Sequence, residues 1–197
     1  MATAALTRYT PEEYLALERN AEFKSEYIDG RIVGMAGAPR PHSLIVHNLD
    51  RELGNRLLES PCEIYPGDMK VGIDASHRYV YPDLCVSCGP EFADGLADVL
   101  LTPLLIVEVL SDSTEQYDRG EKFFHYRRLE SLREYVLISQ KTCLIERYVR
   151  HGDFWQFSSG DNLDDSLVLA SLEVEIPLRL VYAKVLPAQT PWPTTES

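Results

Sequence analysis

Leu104-Leu105-Ile106-Val107-Glu108-Val109-Leu110 is the stretch on which the fold turns. All but one of these residues are apolar, without the alternation of a strand that has one wet face. Near-continuous hydrophobicity marks a strand covered on both sides, hence a central one. The exception is Glu108, and a carboxylate in such a strand is costly to bury unless a cation or strong donors compensate it. Asp83 repeats the anomaly upstream, after Pro82 at the head of Leu84-Cys85-Val86 in a second expected strand, Tyr79–Ser87. Side-chain alternation puts Asp83, Cys85 and Ser87 on one face, and Leu104, Ile106, Glu108 and Leu110 on one face of theirs. If the two strands are neighbours, both carboxylates converge on one shared positive charge. A divalent metal is the most economical candidate, and hard oxygen ligands suit Mg²⁺, which takes one or two carboxylates and keeps several waters.

Around these strands the chain alternates helical and extended segments. Thr10-Pro11-Glu12-Glu13 is a capping box with proline at the first helical position, so a helix runs to about Arg19. Asp29-Gly30 between Lys24–Ile28 and Arg31–Met35 predicts a hairpin, followed by a Gly- and Pro-rich loop to Pro41. Ile45, Leu49, Leu53 and Leu57 form one stripe at helical period, predicting a helix from His42 to Leu58 that Ser60-Pro61 stops. Short strands are expected at Glu63–Tyr65 and Met69–Ile73, then a polar connection through Asp74–His77. The segment Gly89–Thr102 reads as an excursion with room for a short helix. A second capping box, Ser113-Thr114-Glu115-Gln116, opens a helix to about Leu129. Glu134–Ser139 reads as a strand, Cys143–Val149 and Phe154–Phe157 as a late hairpin, and Leu167–Leu169 and Val174–Ile176 as short final strands. The fold class is therefore mixed α/β, with one central sheet flanked by helices. Residues 1–185 read as a single domain and 186–197 as a disordered tail.

The net charge of −12 argues against a non-specific nucleic-acid coat protein, because phosphate binding is dominated by Lys and Arg. It weighs less against a nuclease, in which part of the acid holds metal. No apolar run approaches the length of a membrane helix. Met1–Leu6 has neither a basic region nor a long apolar segment, which predicts no secretory signal and a cytoplasmic location. Cys85-Val86-Ser87-Cys88 has the C-x-x-C spacing, but no second close pair completes a zinc site, and the motif ends a strand rather than opening a helix. Reduced cysteines acting as small core hydrophobes are the expectation for all four.

Tyr81-Pro82-Asp83 followed by Val107-Glu108-Val109-Leu110-Ser111 resembles the bipartite signature of the PD-(D/E)XK nuclease superfamily. More closely, the chain resembles the Uma-type restriction endonuclease family. The matching pieces are Glu26–Val33, His42 with its helix, Tyr81–Asp83, Glu108–Ser111, Tyr117-Asp118-Arg119 leading to Lys122 and Tyr126, and Glu134–Ile138. Their order extends the resemblance from about residue 10 to 182. It implies a restriction-endonuclease-like fold and Mg²⁺-dependent hydrolysis of DNA phosphodiester bonds, with Mn²⁺ as a substitute ion. By the same resemblance, Asp83, Glu108 and the Val109 carbonyl hold the ion, and a homodimer is expected because cutting two strands takes two sites. The superfamily's lysine two places after the glutamate is Leu110 here. The Uma-type pattern places the substitute at Lys122 on the following helix, with Lys70 the runner-up.

Each of these residues also has a plain structural reading. Glu26 is either part of the acidic cluster or an exposed hairpin carboxylate paired with Lys24 or Arg31. Asp83 is a ligand or a turn residue after proline, and Glu108 a ligand or one half of a buried ion pair with Lys122 or Arg119. Lys122 is an active-site cation or the surface i,i+4 partner of Asp118. His42, opening a helix after a Gly/Pro loop, is placed for phosphate contact at the helix N-terminus. Tyr126 reads as a packing residue. The rival function is a non-catalytic nucleic-acid-binding or regulatory protein that keeps the nuclease fold.

Overall fold

The computed structural model describes residues 7–73, 78–93, 95–112 and 114–186. The polar connection 74–77, Ser113 of the second capping box and the expected tail beyond Leu186 fall outside them. The opening helix α1 (Pro11–Glu18) is capped as its sequence requires: Glu13 N–H donates to Thr10 Oγ1, and the Glu13 carboxylate accepts from Thr10 N–H. Strands β1 (Ser25–Ile28) and β2 (Arg31–Gly34) pair antiparallel with Ile28 opposite Arg31. Their two-residue turn has positive φ at both Asp29 and Gly30, the geometry that an Asp-Gly pair favours.

Helix α2 (Arg40–Leu57) begins two residues earlier than the apolar stripe predicts, because Pro41 fits the first turn without losing a hydrogen bond. Its stripe of Ile45, Leu49, Leu53 and Leu57 is buried against the central sheet. That sheet has the order β11-β10-β9-β8-β6-β3. The members are β3 (Glu63–Pro66), β6 (Leu84–Ser87), β8 (Leu105–Leu110), β9 (Glu134–Ser139), β10 (Ile145–His151) and β11 (Phe154–Gly160). Every residue of β8 is buried, and β8 lies between antiparallel β6 and parallel β9, as its unbroken hydrophobicity dictates. The parallel β8–β9 connection carries a helical run made of α3 (Glu115–Tyr117), a π-helical turn (Asp118–Lys122) and α4 (Phe123–Tyr126).

Two expectations change. The run Tyr79–Ser87 is not one strand: β5 (Arg78–Val80) belongs to a second sheet, ordered β2-β1-β5-β4-β7, with β4 (Lys70–Ile73) and β7 (Val99–Leu100). The chain leaves that sheet at Tyr81-Pro82-Asp83, where proline cannot donate to a ladder, and joins the central sheet at Leu84. The expected single sheet is thus a six-stranded mixed sheet plus a five-stranded one, sharing a core that includes Val71, Val80, Cys85 and Ile106. Secondly, Cys62 and Cys88 form a disulfide. The reason is register: β3 and β6 pair Glu63 with Ser87, so the flanking Cys62 and Cys88 meet at the next position. The reduced-cysteine reading holds for Cys85 and Cys143, which are free, and the zinc alternative is removed because Cys88 is engaged.

The excursion 89–102 holds β7 and a bridge from Phe92 to Leu100 rather than a helix, among its described residues. A final hairpin, β12 (Ser166–Leu169) with β13 (Val174–Pro177), leads into the short α5 (Leu178–Val181), packed on α2. No helix among the described residues is long and apolar enough to cross a membrane.

Candidate active site

The β6–β8 register pairs Leu84 with Val107, so Asp83, one residue outside β6, comes level with Glu108. Cys85 on β6 and Ile106 and Leu110 on β8 belong to one core cluster, which puts the two carboxylates on that same face. Asp83 is fixed through one oxygen: Oδ2 accepts Val109 N–H at 2.7 Å and lies 3.0 Å from His42 Nε2. Asp83 stands at a bend after Pro82, as the turn-residue reading expects, and its carboxylate is engaged by both groups. Its side chain ties the sheet junction to the first turn of α2.

Glu108 faces the helical run 115–126. Lys122 Nζ donates to Glu108 Oε1 at 3.0 Å, and Tyr126 Oη donates to the same oxygen at 2.9 Å. Lys122 Nζ is also 3.4 Å from Asp118 Oδ1 and 3.7 Å from Glu26 Oε1. The expected surface pair of Asp118 and Lys122 is thus a buried one. Glu26 is buried as well and accepts Tyr81 N–H at 3.2 Å, which replaces the exposed-hairpin alternative; Lys24 turns instead to Asp68. Arg119, the other suggested partner of Glu108, binds Glu115 and Glu146.

Lys70 does not join the cluster. Its ammonium lies 3.1 Å from Asp98, which also binds Arg19, and 5.6 Å from the Tyr81 ring centroid. The reason is the sheet switch: β4 sits in the second sheet, where its buried lysine finds Asp98. That pairing holds the Asp98 carboxyl down at about 2, through hydrogen bonds from Arg19 and Lys70 that outweigh its partial burial.

Glu26, His42, Asp83, Glu108, Val109 and Lys122 all line one cleft of about 600 Å³. Its electrostatics are unbalanced. Burial pushes Glu108 up to about 8 against the pull of Lys122, with Asp83 and Asp118 adding to the rise. Burial likewise raises Asp118. Burial alone would lower the Lys122 ammonium, but Glu108, Glu26 and Asp118 together hold it above the ordinary lysine value. Three carboxylates, Glu26, Glu108 and Asp118, thus share the one ammonium of Lys122, with Asp83 level with Glu108 on the neighbouring strand.

Among the described residues, no group of three or more His, Cys, Asp or Glu side chains is arranged to hold a metal. A hard ion that needs only one or two carboxylates and keeps its own waters does fit the donor set, as oxygens from Asp83 and Glu108 beside the Val109 backbone. Asp118 Oδ1, buried and without a hydrogen bond of good geometry, has the Lys122 ammonium 3.4 Å away as its ion-pair partner.

With that geometry in place, comparison with known proteins is decisive. Residues 11–180 match the Uma2 family, described as "Putative restriction endonuclease". The chain belongs to this family. It is 35% identical over 181 residues to the uncharacterized protein slr1290 of Synechocystis sp., covering 91% of this chain and 94% of that one. It is 38% identical over 154 residues to the uncharacterized protein sll1609 of the same organism, covering 78% of this chain and 87% of that one. A solved "putative nuclease belonging to DUF820" from Anabaena variabilis superimposes with a TM-score of 0.73 at 18% identity, covering 90% of this chain and 99% of that chain. That likeness is one of fold, and the fold of this Uma2 member is restriction-endonuclease-like.

Two members of the cluster were not singled out from sequence as site residues: Asp118, read only as a surface partner, and Tyr126, read as packing. A signal existed. Asp118, Lys122 and Tyr126 follow one another at intervals of four and so share one helical face. The π turn spanning Asp118–Lys122 has no comparable sequence mark, and π turns concentrate at functional sites.

Proposed function

We propose that this Uma2 member is an Mg²⁺-dependent DNA endonuclease, with Mn²⁺ able to replace Mg²⁺, hydrolysing phosphodiester bonds in the cleft that Asp83 and Glu108 share. The observation that carries this reading is their meeting. Two carboxylates remote in sequence are brought level by β6–β8 pairing, with the ammonium of Lys122 3.0 Å from one of them.

Asp83, Glu108 and the Val109 carbonyl would hold the ion. When bound, it supplies polarisation of a phosphoryl oxygen and acidification of a water. The contacts to Asp83 fall on Oδ2, and Lys122 and Tyr126 both engage Oε1 of Glu108, so the sister oxygens are the natural donors. His42 and Val109 N–H orient Asp83, and Tyr126 orients Glu108. Lys122 stands where an ammonium can direct the attacking water or offset charge developing on the phosphate. Glu26, held by Tyr81 N–H, keeps that ammonium inside the cleft.

The experiment is cleavage of supercoiled plasmid with Mg²⁺ or Mn²⁺, beside Glu108→Gln, which keeps shape and removes charge. Nicking or linearisation by the wild type, lost in the variant, supports the reading. Equal activity in both proteins ends it.

A second reading, a non-catalytic nucleic-acid-binding or regulatory protein that keeps the fold, draws on one observation. Lys122 already neutralises part of the carboxylate cluster by direct contact. In that case calorimetry would find the folded protein indifferent to millimolar Mg²⁺.

A further inference from the structure

A second hollow, of about 640 Å³, adjoins the cleft. His42, Tyr81, Asp83 and the loop 35–38 line both, so the two share a wall, whereas Glu26, Glu108 and Lys122 line the cleft alone. Beyond that wall the chemistry turns apolar. Phe23, Met35 and Val46 supply surface, and His47 and Asp50 supply polar groups. Val46, His47 and Asp50 follow Ser43 at i+3, i+4 and i+7, so one face of α2 lines the hollow while its buried stripe holds the central sheet.

Such a hollow does not suit a phosphate. Among its described lining residues the one ammonium, that of Lys24, is already bound to Asp68 and the Gly67 carbonyl, and Glu22, Asp50 and Asp83 stand around it. A neutral heterocycle does suit it, with apolar side chains for the ring faces and carboxylates to accept from amino groups. The volume lies within the range of about 300–1,000 Å³ that encloses small organic ligands. Phe23 is 81% exposed, so its ring gains little from the fold and is free to serve as a stacking surface.

We propose that this hollow seats an unpaired nucleobase beside the scissile phosphate, which makes single-stranded DNA the substrate class of the cleft. The phosphate's position is that of the hydrolytic site proposed above, on which this assignment rests. The sugar joining base to phosphate would pass the His42–Asp83 pair in the shared wall. In an intact duplex every base is paired and stacked, and drawing one into a side pocket sacrifices both; an already unpaired base loses least. Base stacking also tolerates sequence and draws on π-faces rather than on lysines, which fits a chain of net charge −12.

Fluorescence anisotropy in the Glu108→Gln background, which removes the cutting step, tests the pocket by binding alone. A short single-stranded oligonucleotide should bind roughly tenfold more tightly than its blunt duplex, and roughly tenfold more tightly than an abasic strand with the same phosphates. Adding Phe23→Ala should lower single-strand affinity by a similar factor, leave the abasic strand unchanged and keep the melting temperature, because this ring is not part of the core. Phe23→Trp should retain the affinity. A duplex bound as tightly as the single strand overturns the proposal, as does an abasic strand bound as tightly as the intact one, or a Phe23→Ala variant with undiminished affinity. Cleavage with the otherwise wild-type protein separates this failure from that of the hydrolase. Equal cutting of duplex and single strand, untouched by Phe23→Ala, removes the base pocket and keeps the hydrolase. Base- and Phe23-dependent binding of single strands without cutting in Mg²⁺ or Mn²⁺ keeps the pocket and removes the hydrolase.

Discussion

The ammonium of Lys122 sits 3.0 Å from Glu108 Oε1, with both residues buried and the contact bridging a helical turn to the central strand. Such a pair is better at imposing geometry than at adding stability, because each charge has lost its water. Removing one partner is a different matter. In Lys122→Met, Glu108, Glu26 and Asp118 lose their shared cation, and breaking a buried pair costs about 3–5 kcal/mol. Thermal melts in EDTA should show that loss, and Mg²⁺ should restore part of it. Turnover should stay down by roughly 10²–10³-fold even when metal is saturating. A variant as stable as the wild type in EDTA and fully active with Mg²⁺ would place Lys122 outside the machinery.

Burial raises the Glu108 carboxyl to about 8. The folded state therefore holds this proton over a pH range in which the unfolded chain, near the ordinary value of 4.5, has lost it. Stability linked to Glu108 is complete below that ordinary value and is lost as pH rises through about 8. Metal-free melting temperature should fall across this window in the wild type, and Glu108→Gln should flatten that part of the profile. Mg²⁺ must displace the same proton, so its affinity should climb with pH and level off near the upper end of the window. Melts and calorimetry at a series of pH values check both limbs. An Mg²⁺ affinity that does not change with pH would remove Glu108 from the ligand set.

His42 and Val109 N–H share Asp83 Oδ2. His42→Ala leaves the backbone donor in place, so Asp83 keeps its position but loses orientation. Partners of this kind are typically worth about 10–100-fold in metal affinity or activity. The substitution should weaken Mg²⁺ binding and plasmid cleavage together, with little change in melting temperature. Asp83→Ala should go further and abolish binding. If His42→Ala cleaves normally, the histidine is a helix-cap neighbour and no more.

Much of this architecture was legible because local chemistry agreed with tertiary demand. The capping box at Thr10, the Asp29-Gly30 turn and the apolar stripe of α2 each have a single good solution, and the structure adopts it. Glu108 was legible for the opposite reason: it violates the apolar strand around it. What escaped reading depends on partners remote in sequence. Tyr79–Ser87 looks like one strand because both halves are apolar, and only Pro82 hints that they serve different sheets. Lys70 and Lys122 are equivalent as letters; the sheet switch sends one to Asp98 and the helix after β8 sends the other to Glu108. Cys62 and Cys88 meet through the β3–β6 register, which no spacing rule encodes.

That disulfide closes a loop across a sequence separation of 26 and joins the β3 edge to the strand that leads from Asp83. On the chain-entropy account, a loop of this size restrains the unfolded state by about 3–4 kcal/mol at room temperature. Reduction, or Cys62→Ser, should lower the melting temperature, most visibly in the absence of metal. Thiol titration under denaturing conditions should find two reactive groups before reduction and four after, because Cys85 and Cys143 are free in the folded protein. The loss should leave Mg²⁺ affinity unchanged at temperatures where the protein remains folded, since Asp83 is held by Val109 and His42 rather than by the β3 edge. Four thiols in the protein purified without reductant would refute the bond. A collapse of Mg²⁺ affinity on reduction, with the fold intact, would show that β3 helps to set the position of Asp83.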